Sequence, residues 1–594
     1  GPTGVPVGDP LPCDIALTIN ETRTFVANFR STFVAGLPAV LHVRSSAPSG
    51  GDGLSWATAF NDIQRALCRA GGSNGAVQEI WVSQGTYRPD AGTGRRDVGF
   101  ILANGIALYG GFVGTEISRD QRDPAAHVTT LSGDIGTAGV ATDNSYHVVV
   151  GSGTDATAVL DGFTITGGYV DTADFPGNTG GGLLVENGAP TIANCVFVGN
   201  YAGQGGGAVG NHQASPTLTN CTFDSNSGGE YAGGAVLNYS LCNPTITGCT
   251  FQSNSAVFAG AILNAFTSSP TITGCTFDQN STTGVNQNGG AIYNYTNSSP
   301  AIGSCTFTAN QADYGAAIGN AFDCSPAITN CVFRANVAAG GGAGVDTYSN
   351  CNVALTNCLF SGNVADFGAA VTMFASSNIN FVNCTIVGNQ AGFAAGLYGD
   401  SSAPTLANCI LWANNDVNGT IEWSQIYMAS GTPTLQYCTV QSWTGGLGGT
   451  ANNGTNPQFV DADGPDNVYG TADDNPRLQA ASPCVNTGNN AALPGGTTTD
   501  LDGGPRILSG TVDRGAYEYV PAIPGDSDHD GDVDDADLAA FINCGTGPSI
   551  GPPAPDCAWA DLDGDNDVDS ADFARFQRCI SGADGAGDPN CAGL

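Results

Sequence analysis

Four segments in the middle of the chain share one pattern: SPTLTNCTFDSN (215–226), NPTITGCTFQSN (243–254), SPTITGCTFDQN (269–280) and SPAITNCVFRAN (325–336). In each segment apolar residues alternate with polar ones across the Cys and Phe positions, which predicts a short β-strand. The pattern returns every 25–30 residues. A fixed period of this length indicates a solenoid, in which each repeat packs against its neighbours along the chain.

Three positions fix the register of the repeats. The first is a cysteine: Cys195, Cys221, Cys249, Cys275, Cys305, Cys331, Cys358, Cys384, Cys409 and Cys438. Two residues later stand Phe197, Phe223, Phe251, Phe277, Phe307, Phe333, Phe360, Ile386, Leu411 and Val440. Five residues after the cysteine stand Asn200, Asn226, Asn254, Asn280, Asn310, Asn336, Asn363, Asn389 and Asn414, and finally Trp443. A second strand is predicted in GGAVLN (233–238), GAILN (260–264), GGAIYN (289–294) and GAAIGN (315–320).

If each repeat makes one turn of the chain, or rung, identical residues stack about 4.8 Å apart in parallel strands. The sequence therefore predicts an all-β parallel β-helix with Cys and Phe inside. We expect the Asn series to form an amide ladder at a corner where the backbone is left-handed. The stacked thiols are interpreted as small apolar core residues and not as a metal site, because Phe and Ile surround them and no His accompanies them.

The remaining cysteines are interpreted differently. Cys324 and Cys351 each lie seven residues before a ladder cysteine on consecutive rungs, so we predict a disulfide between them. Cys242 holds the same place three rungs earlier and has no neighbouring cysteine. Spacing alone does not decide how further cysteines pair, among them Cys13, Cys68, Cys544, Cys557, Cys579 and Cys591.

Composition excludes several classes of protein. The chain has 594 residues and a net charge of −37, and its 16 basic residues are all Arg. A nucleic-acid interface needs clustered basic residues, so nucleic acid is excluded as a partner. No apolar run is long enough to span a membrane. The chain begins with Gly, which we interpret as a mature secreted protein that has lost its signal peptide, located outside the cell or on its surface.

Composition also divides the chain. Residues 1–38 precede the repeats and contain the strand-like stretches DIALTI (14–19) and RTFVANF (23–29). Residues 39–150 are predicted to form the N-terminal cap and first coils, with a helix in TAFNDIQRALCRA (58–70) covering the open end. Residues 151–440 carry the ladders, 441–523 close the solenoid, and 524–594 form a small helical module after a proline-bounded linker.

Several segments resemble a family of secreted bacterial right-handed β-helix proteins. They are GDGLSWATAFNDIQRAL (51–67), EIWVSQGTYRPD (79–90), IALYGGFVGTEISRDQRDP (106–124), TLSGDI (130–135), LDGFTITGG (160–168), DLDGGPRI (500–507) and VDRGAYEY (512–519). The family is similar to the pectin-lyase-like fold and to the repeats of polymorphic outer-membrane proteins. The resemblance covers roughly residues 39–523 and implies a right-handed solenoid.

Two 12-residue loops in the C-terminal module carry carboxylates at positions 1, 3, 5, 9 and 12, the oxygen ligands that Ca²⁺ prefers in EF-hands. The first loop contains Asp526, Asp528, Asp530, Asp532, Asp534 and Asp537, and the second contains Asp561, Asp563, Asp565, Asp567, Asp569 and Asp572. The pair resembles dockerin modules, which implies docking to a partner. The 23 residues between the loops are longer and richer in proline than in a standard dockerin.

A further calcium site is predicted in FVDADGPDNVYGTADDNPRLQ (459–479), because crowded carboxylates repel unless a cation neutralises them. The residues are Asp461, Asp463, Asp466, Asp473 and Asp474.

The pattern favours a structural or adhesive protein over an enzyme. Between residues 151 and 450 the only basic residue is Arg334 and the only His is His212. Asp224 and Asp278 lie two rungs apart, about 9.6 Å, as do Asp313 and Asp366, at the edge of the range for paired glycosidase acids. A carbohydrate-binding protein would use exposed aromatic residues such as Tyr293, Tyr295, Tyr314, Phe322 and Tyr348.

The sequence leaves three kinds of binding partner undecided: a second copy of the chain, a cohesin-like or cell-surface protein, and a polysaccharide. Self-assembly into a filament or array is the boldest of these expectations, with a polysaccharide lyase or hydrolase as the enzymatic alternative.

Overall fold

The computed structural model describes residues 38–594, except 174, 176, 231, 522, 529–531, 583–586, 590 and 594. Residues 1–37 of the predicted extension, with both strand-like stretches and Cys13, lie outside the described residues, as does Asp530.

The solenoid consists of four parallel sheets, and each full rung passes through sheets 1, 2, 3 and 4 in turn. Sheet 1 contains Val40–Val43, Glu79–Ser83, Ala107–Phe112, Val159–Asp161, Thr191–Ala193, Thr217–Thr219, Thr245–Thr247, Thr271–Thr273, Ala301–Gly303, Ala327–Thr329, Asn352–Thr356, Asn378–Val382, Thr405–Ala407 and Thr434–Gln436. Sheet 2 contains Gly85–Tyr87, Thr129–Ser132, Thr164–Thr166, Val196–Val198, Thr222–Asp224, Thr250–Gln252, Thr276–Asp278, Thr306–Thr308, Val332–Arg334, Leu359–Ser361, Thr385–Val387, Ile410–Trp412 and Thr439–Val440.

Sheets 3 and 4 complete each rung. Sheet 3 contains Tyr169–Val170, Tyr201–Ala202, Ser227–Gly228, Ser255–Ala256, Ser281–Thr282, Gln311–Tyr314, Val337–Gly341, Val364–Phe367 and Gln390–Phe393. Sheet 4 contains Phe100–Ile101, Val149–Val150, Leu183–Glu186, Val209–His212, Val236–Tyr239, Ile262–Ala265, Ile292–Tyr295, Ile318–Ala321, Val345–Tyr348, Val371–Phe374, Leu397–Asp400 and Ile426–Met428. The predicted parallel β-helix is confirmed.

The stacked core follows the predicted register. Phe223 pairs with Phe251 and Phe251 with Phe277, and their rings stack with centroids 4.6 and 4.8 Å apart. All ten ladder cysteines are buried free thiols, as predicted. The predicted Cys324–Cys351 disulfide is wrong, because both are free and the Cys351 Sγ accepts a hydrogen bond from the Cys324 backbone N–H. Both cysteines lie in stacked turns between sheets 4 and 1, and each thiol donates to a carbonyl of its own turn, Cys324 to Ala321 O and Cys351 to Tyr348 O, both at 3.2 Å.

The amide ladder is confirmed, but its backbone differs from the prediction. From Asn200 to Asn389 each Asn side chain donates to the Asn Oδ1 of the next rung, for example Asn254 to Asn280 at 3.0 Å, and the last one, Asn414, donates to Gln425 Oε1. The series is buried. The ladder Asn are not left-handed. Positive φ falls on the residue just before each of them, such as Gln279 at 53°, and on the residue before each ladder cysteine, such as Asn220 at 52°.

Both ends of the solenoid are covered. At the N-terminal end, helix α1 (Ile63–Gly71) buries Ile63, Ala66 and Leu67 against the first strands, as predicted. At the C-terminal end, Trp443, the residue that replaces the ladder Asn, packs with Leu447 against the core. The short helix α2 (Glu422–Gln425) belongs to the last rung, and the remaining short helical segments are 3₁₀ turns at Trp56–Thr58, Arg119–Gln121, Ala141–Asp143, Asn490–Ala492 and Pro555–Ala560.

The closing segment, residues 459–519, folds back along the outer face of sheet 2. It contains one antiparallel pair, Phe459–Asp461 with Asn475–Leu478. Corner asparagines hold it, since Asn357 donates to Thr499 O at 2.8 Å and Asn383 to Asp513 O at 2.8 Å. Tyr469 lies over Gly388, and a Cβ atom added at Gly388 would come within 2.0 Å of the Tyr469 ring. The buried Arg506 pairs with Glu518 at 3.3 Å inside this segment.

The C-terminal module contains α3 (Asp535–Cys544) and α4 (Ser570–Cys579) around a small core. Phe541 and Phe576 meet in that core with ring centroids 4.8 Å apart. The pairing that the sequence left open is Cys544–Cys557 and Cys579–Cys591. Each disulfide joins the end of a helix to the segment that follows it, and Cys68 near the start of the chain is also disulfide-bonded.

Candidate functional sites

The two acidic loops of the C-terminal module bring their carboxylates together. Asp561, Asp563, Asp565 and Asp572 each place one ligand atom within 4.8 Å of the others. In the first loop, Asp526, Asp528 and Asp537 form the corresponding group. The neighbouring groups Asp532, Asp534, Asp537 and Asp567, Asp569, Asp572 are equally close. The loops are therefore converging sets of hard oxygen ligands.

The module is an internal duplication with an offset of 35 residues, and the same contacts occur in both halves. Asp534 and Asp569 each begin a helix through a capping box with the residue three positions on. Val533 N–H donates to Ser581 Oγ at 2.9 Å, and Val568 N–H donates to Thr546 Oγ1 at 2.8 Å. Each loop is thus tied to the segment that follows the other loop's helix.

The electrostatics of the loops fit a cation. Burial acts to raise the pKa of Asp537, but hydrogen bonds from Asp534 N–H and from Ser527 outweigh it and hold that pKa below its ordinary value. In the second loop, desolvation and the charges of Asp572 and Asp565 raise the pKa of Asp563. Asp567 Oδ1 is buried without a hydrogen-bond partner. A divalent ion would neutralise these charges, so the residues present fit a metal.

The acidic stretch of the closing segment is arranged differently. Asp474 accepts hydrogen bonds from Ser361 Oγ at 2.8 Å and Gly470 N–H at 2.7 Å, while Asp473 accepts from Thr471. Burial, together with Asp463, Asp474 and Asp461, raises the pKa of Tyr469 to about 12. Among the described residues, no three of the five carboxylates come within 4.8 Å of one another. A calcium site here stays a prediction, and the observed contacts hold the segment on the solenoid.

A row of aromatic side chains, here called the aromatic stripe, runs along the outer face of sheet 4. Each ring contacts the next at centroid distances of 4.7–5.9 Å. The members are Phe175, His212, Tyr239, Phe266, Tyr295, Phe322 and Tyr348.

Of the five aromatics expected on the surface, the stripe contains three, Tyr295, Phe322 and Tyr348. The expectation for Tyr293 is wrong, since it is 5% exposed and packs under the loops that follow sheet 3. Tyr314 is half-buried and lies near Phe367 instead. Tyr239 and Phe266 were not among the predicted surface aromatics; Tyr239 ends the strand Val236–Tyr239, and Phe266 directly follows the strand Ile262–Ala265.

The carboxylates considered for catalysis lie on two sheets. Asp224, Gln252, Asp278, Thr308 and Arg334 occupy consecutive outward positions of sheet 2, which confirms the two-rung relation of Asp224 and Asp278. Asp313 and Asp366 lie in sheet 3, two strands apart, and Asp313 accepts a hydrogen bond from the backbone N–H of Asn286 in the preceding loop. Arg334 donates to Thr471 O of the closing segment at 3.3 Å.

Comparisons with known proteins find one matching family model and distant solved structures. A family model described as "Right handed beta helix region" matches residues 181–341 and 291–462. Among solved structures, the pectate lyase Pel9A is 13% identical with a TM-score of 0.34, covering 81% of this chain and 96% of that chain. PfbA, a surface adhesin of Streptococcus pneumoniae, is 13% identical with a TM-score of 0.33, covering 67% and 91%.

A search of curated protein sequences finds no match. Within the part of the chain that the structure describes, no helix is both long enough and apolar enough to cross a membrane. The family match adds the handedness to the four-sheet architecture: the solenoid is a right-handed parallel β-helix.

Proposed function

We propose that this protein is an extracellular scaffold or adhesion protein, in which a long β-helix carries a docking module at its C-terminus that Ca²⁺ orders. The observation that carries the proposal is the duplicated pair of carboxylate loops, each converging within 4.8 Å at the start of a helix. The solenoid supplies a rigid body, and the module supplies the contact to a partner.

The module needs the metal for its stability. Residues 524–594 contain 16 acidic residues and two Arg, a net charge of −14. The buried core of the module is small, and within the described residues two disulfides are its only covalent cross-links. Domains of this size usually need disulfides or a bound metal to be stable. Asp561, Asp563, Asp565 and Asp572 would hold one ion, and Asp526, Asp528 and Asp537 would contribute to a second.

The partner we favour is a second copy of the chain, which would give a filament or an array. A cohesin-like or cell-surface protein is the alternative, and the duplicated module suits either. Light scattering of the full chain at high concentration compares millimolar Ca²⁺ with excess chelator. Growth of large particles that chelation reverses supports self-assembly. A chain that stays monomeric with calcium present makes self-assembly wrong, and a foreign partner then becomes the docking target.

A polysaccharide lyase or hydrolase is the second candidate, favoured by the column of Asp224, Asp278 and Arg334 on one face of sheet 2. Assays for reducing ends and for unsaturated products on a panel of polysaccharides test it. Turnover that Asp278→Asn abolishes would support an enzyme, whereas turnover that this variant retains would remove the column from consideration.

A further inference from the structure

The aromatic stripe exposes side chains that the fold has no reason to expose. Phe266, Phe322 and Tyr348 are 40%, 39% and 47% exposed, although buried positions for aromatic residues exist on every rung. Contiguous apolar surface that is kept in contact with water marks an interaction site in soluble proteins. The stripe therefore points to a ligand.

The backbone at the two phenylalanines explains how their rings are presented. Phe266 has φ of 55° and Phe322 has φ of 64°, in the left-handed region that bulky residues rarely occupy. The same corner is left-handed on the other rungs, with Ser240, Thr296 and Ser349 in the equivalent place, so the fold sets this turn and two rungs carry a bulky ring on it. In both places the backbone turns a Phe ring outward between two tyrosines.

The stripe has a period of two rungs. Tyr239, Ala265, Tyr295, Ala321 and Tyr348 occupy one column of sheet 4. The small Ala residues leave room for Phe266 and Phe322, which follow them in the chain and meet the flanking tyrosines nearly edge to face, at 63–85°. Successive tyrosines are thus about 9.6 Å apart, twice the strand spacing.

This period matches a β-linked hexose polymer, whose extended chain repeats every two sugars over a similar length. The C–H face of a pyranose ring packs on an aromatic ring, and the tyrosine hydroxyls are able to bond sugar hydroxyls at the margin. Between His212 and Tyr348 the only basic residue besides His212 is Arg334, which lies on sheet 2 and not on the stripe. The exposed Asp323 stands beside Phe322. A polyuronate would find no cationic partner along the stripe, which favours an uncharged glycan.

We propose that the aromatic stripe binds a neutral β-linked glycan, lying along the solenoid axis with one disaccharide for every two rungs. This deepens the adhesion part of the proposed function by naming the ligand, and it does not depend on the metal module. A chain whose calcium loops fail would still bind the glycan.

Isothermal titration of the full chain with cellohexaose, mannohexaose and xylohexaose, with and without chelator, tests the proposal. Oligogalacturonate serves as the charged comparison. We expect binding of at least one neutral hexasaccharide, unaffected by chelator, that is stronger for six sugars than for four and stronger for four than for two. The variants Tyr295→Ala and Phe322→Ala should each weaken it by about tenfold.

Tyr201→Ala is the matched control, because Tyr201 is a half-buried outer aromatic that stacks on Tyr169 at 4.8 Å in sheet 3, away from the stripe. Its affinity should equal that of the unmodified chain. The proposal is overturned if none of the three neutral hexasaccharides binds, if only oligogalacturonate binds, or if the stripe variants bind as well as the control. Circular dichroism of each variant verifies that the β-helix is folded, so weakened binding reports the surface.

Discussion

Replacing one ladder asparagine should destabilise the whole solenoid. The side chain of Asn280 makes four buried hydrogen bonds. Its amide nitrogen donates to Phe251 O at 2.9 Å and to Asn310 Oδ1 at 3.0 Å. Its Oδ1 accepts from Asn254 N–H at 3.1 Å and from the Asn254 amide at 3.0 Å. A buried neutral hydrogen bond contributes about 1 kcal/mol, so Asn280→Ala should lower the free energy of unfolding by about 4 kcal/mol.

Guanidinium denaturation followed by circular dichroism measures that loss. Gln252→Ala is the control, because Gln252 is an exposed outward residue one rung earlier, and its replacement should cost less than about 0.5 kcal/mol. A loss of under about 1 kcal/mol for Asn280→Ala would refute the claim that the amide ladder stabilises the fold, since water would then have replaced its partners.

Three further perturbations have defined outcomes. Burial raises the pKa of Asp346 to about 7, so the proton on Asp346 stabilises the folded chain fully below pH 4 and this contribution is lost as pH rises through 7. As pH rises from 5 to 7, the free energy of unfolding of Asp346→Asn should increase by about 2–3 kcal/mol relative to that of the unmodified chain. If thermal melts show the same difference between the two chains at pH 5 and at pH 7, the burial argument is contradicted. Gly388→Ala should displace Tyr469 and open residues 459–479 to limited proteolysis, while Ser253→Ala at the equivalent position of an uncovered rung should not. The ladder thiols should stay unreactive toward thiol reagents until the chain unfolds, and mass spectrometry that finds two of them joined would show the register to be wrong.

The register of the solenoid was predictable because each rung repeats the same side-chain environment. Cys275, Phe277 and Asn280 occupy fixed offsets, and a parallel stack is the arrangement that buries all three series together. The backbone at the corner was not predictable from these offsets. The left-handed residue before the ladder position is Ser, Gln, Ala or Gly in different rungs, and the Asn itself is needed for its amide.

The disulfide prediction failed for a reason that spacing does not show. Cys324 and Cys351 lie in stacked turns on consecutive rungs, but each thiol bonds to a backbone carbonyl of its own turn and not to the other sulfur. The loop carboxylates, in contrast, were predictable, since the EF-hand spacing is local and each helix begins within its own loop. The pairing of Cys544 with Cys557 required the structure.

The closing segment and the aromatic stripe depend on contacts between distant residues. Asn383 meets Asp513, 130 positions along the chain, and no local pattern in the sequence predicts that segment's path. The stripe depends on which residues stack on consecutive rungs: Phe266 contacts Tyr295 because the small Ala265 stacks directly on Tyr295 and leaves space for the Phe ring. Exposure was predicted correctly for Phe322 and Tyr348 and wrongly for Tyr293, and the sequence did not predict that the aromatic residues form a continuous row.

Calcium titration of the full-length chain tests the central claim most directly. After dialysis against chelator, calorimetric titration should show two high-affinity equivalents from the paired loops, and Asp572→Ala should remove one of them while the other remains. Calcium should also raise the melting temperature of the C-terminal transition, because binding to the folded module alone stabilises it. No binding heat, together with a melting profile that calcium leaves unchanged, would contradict the proposal that a metal orders this module.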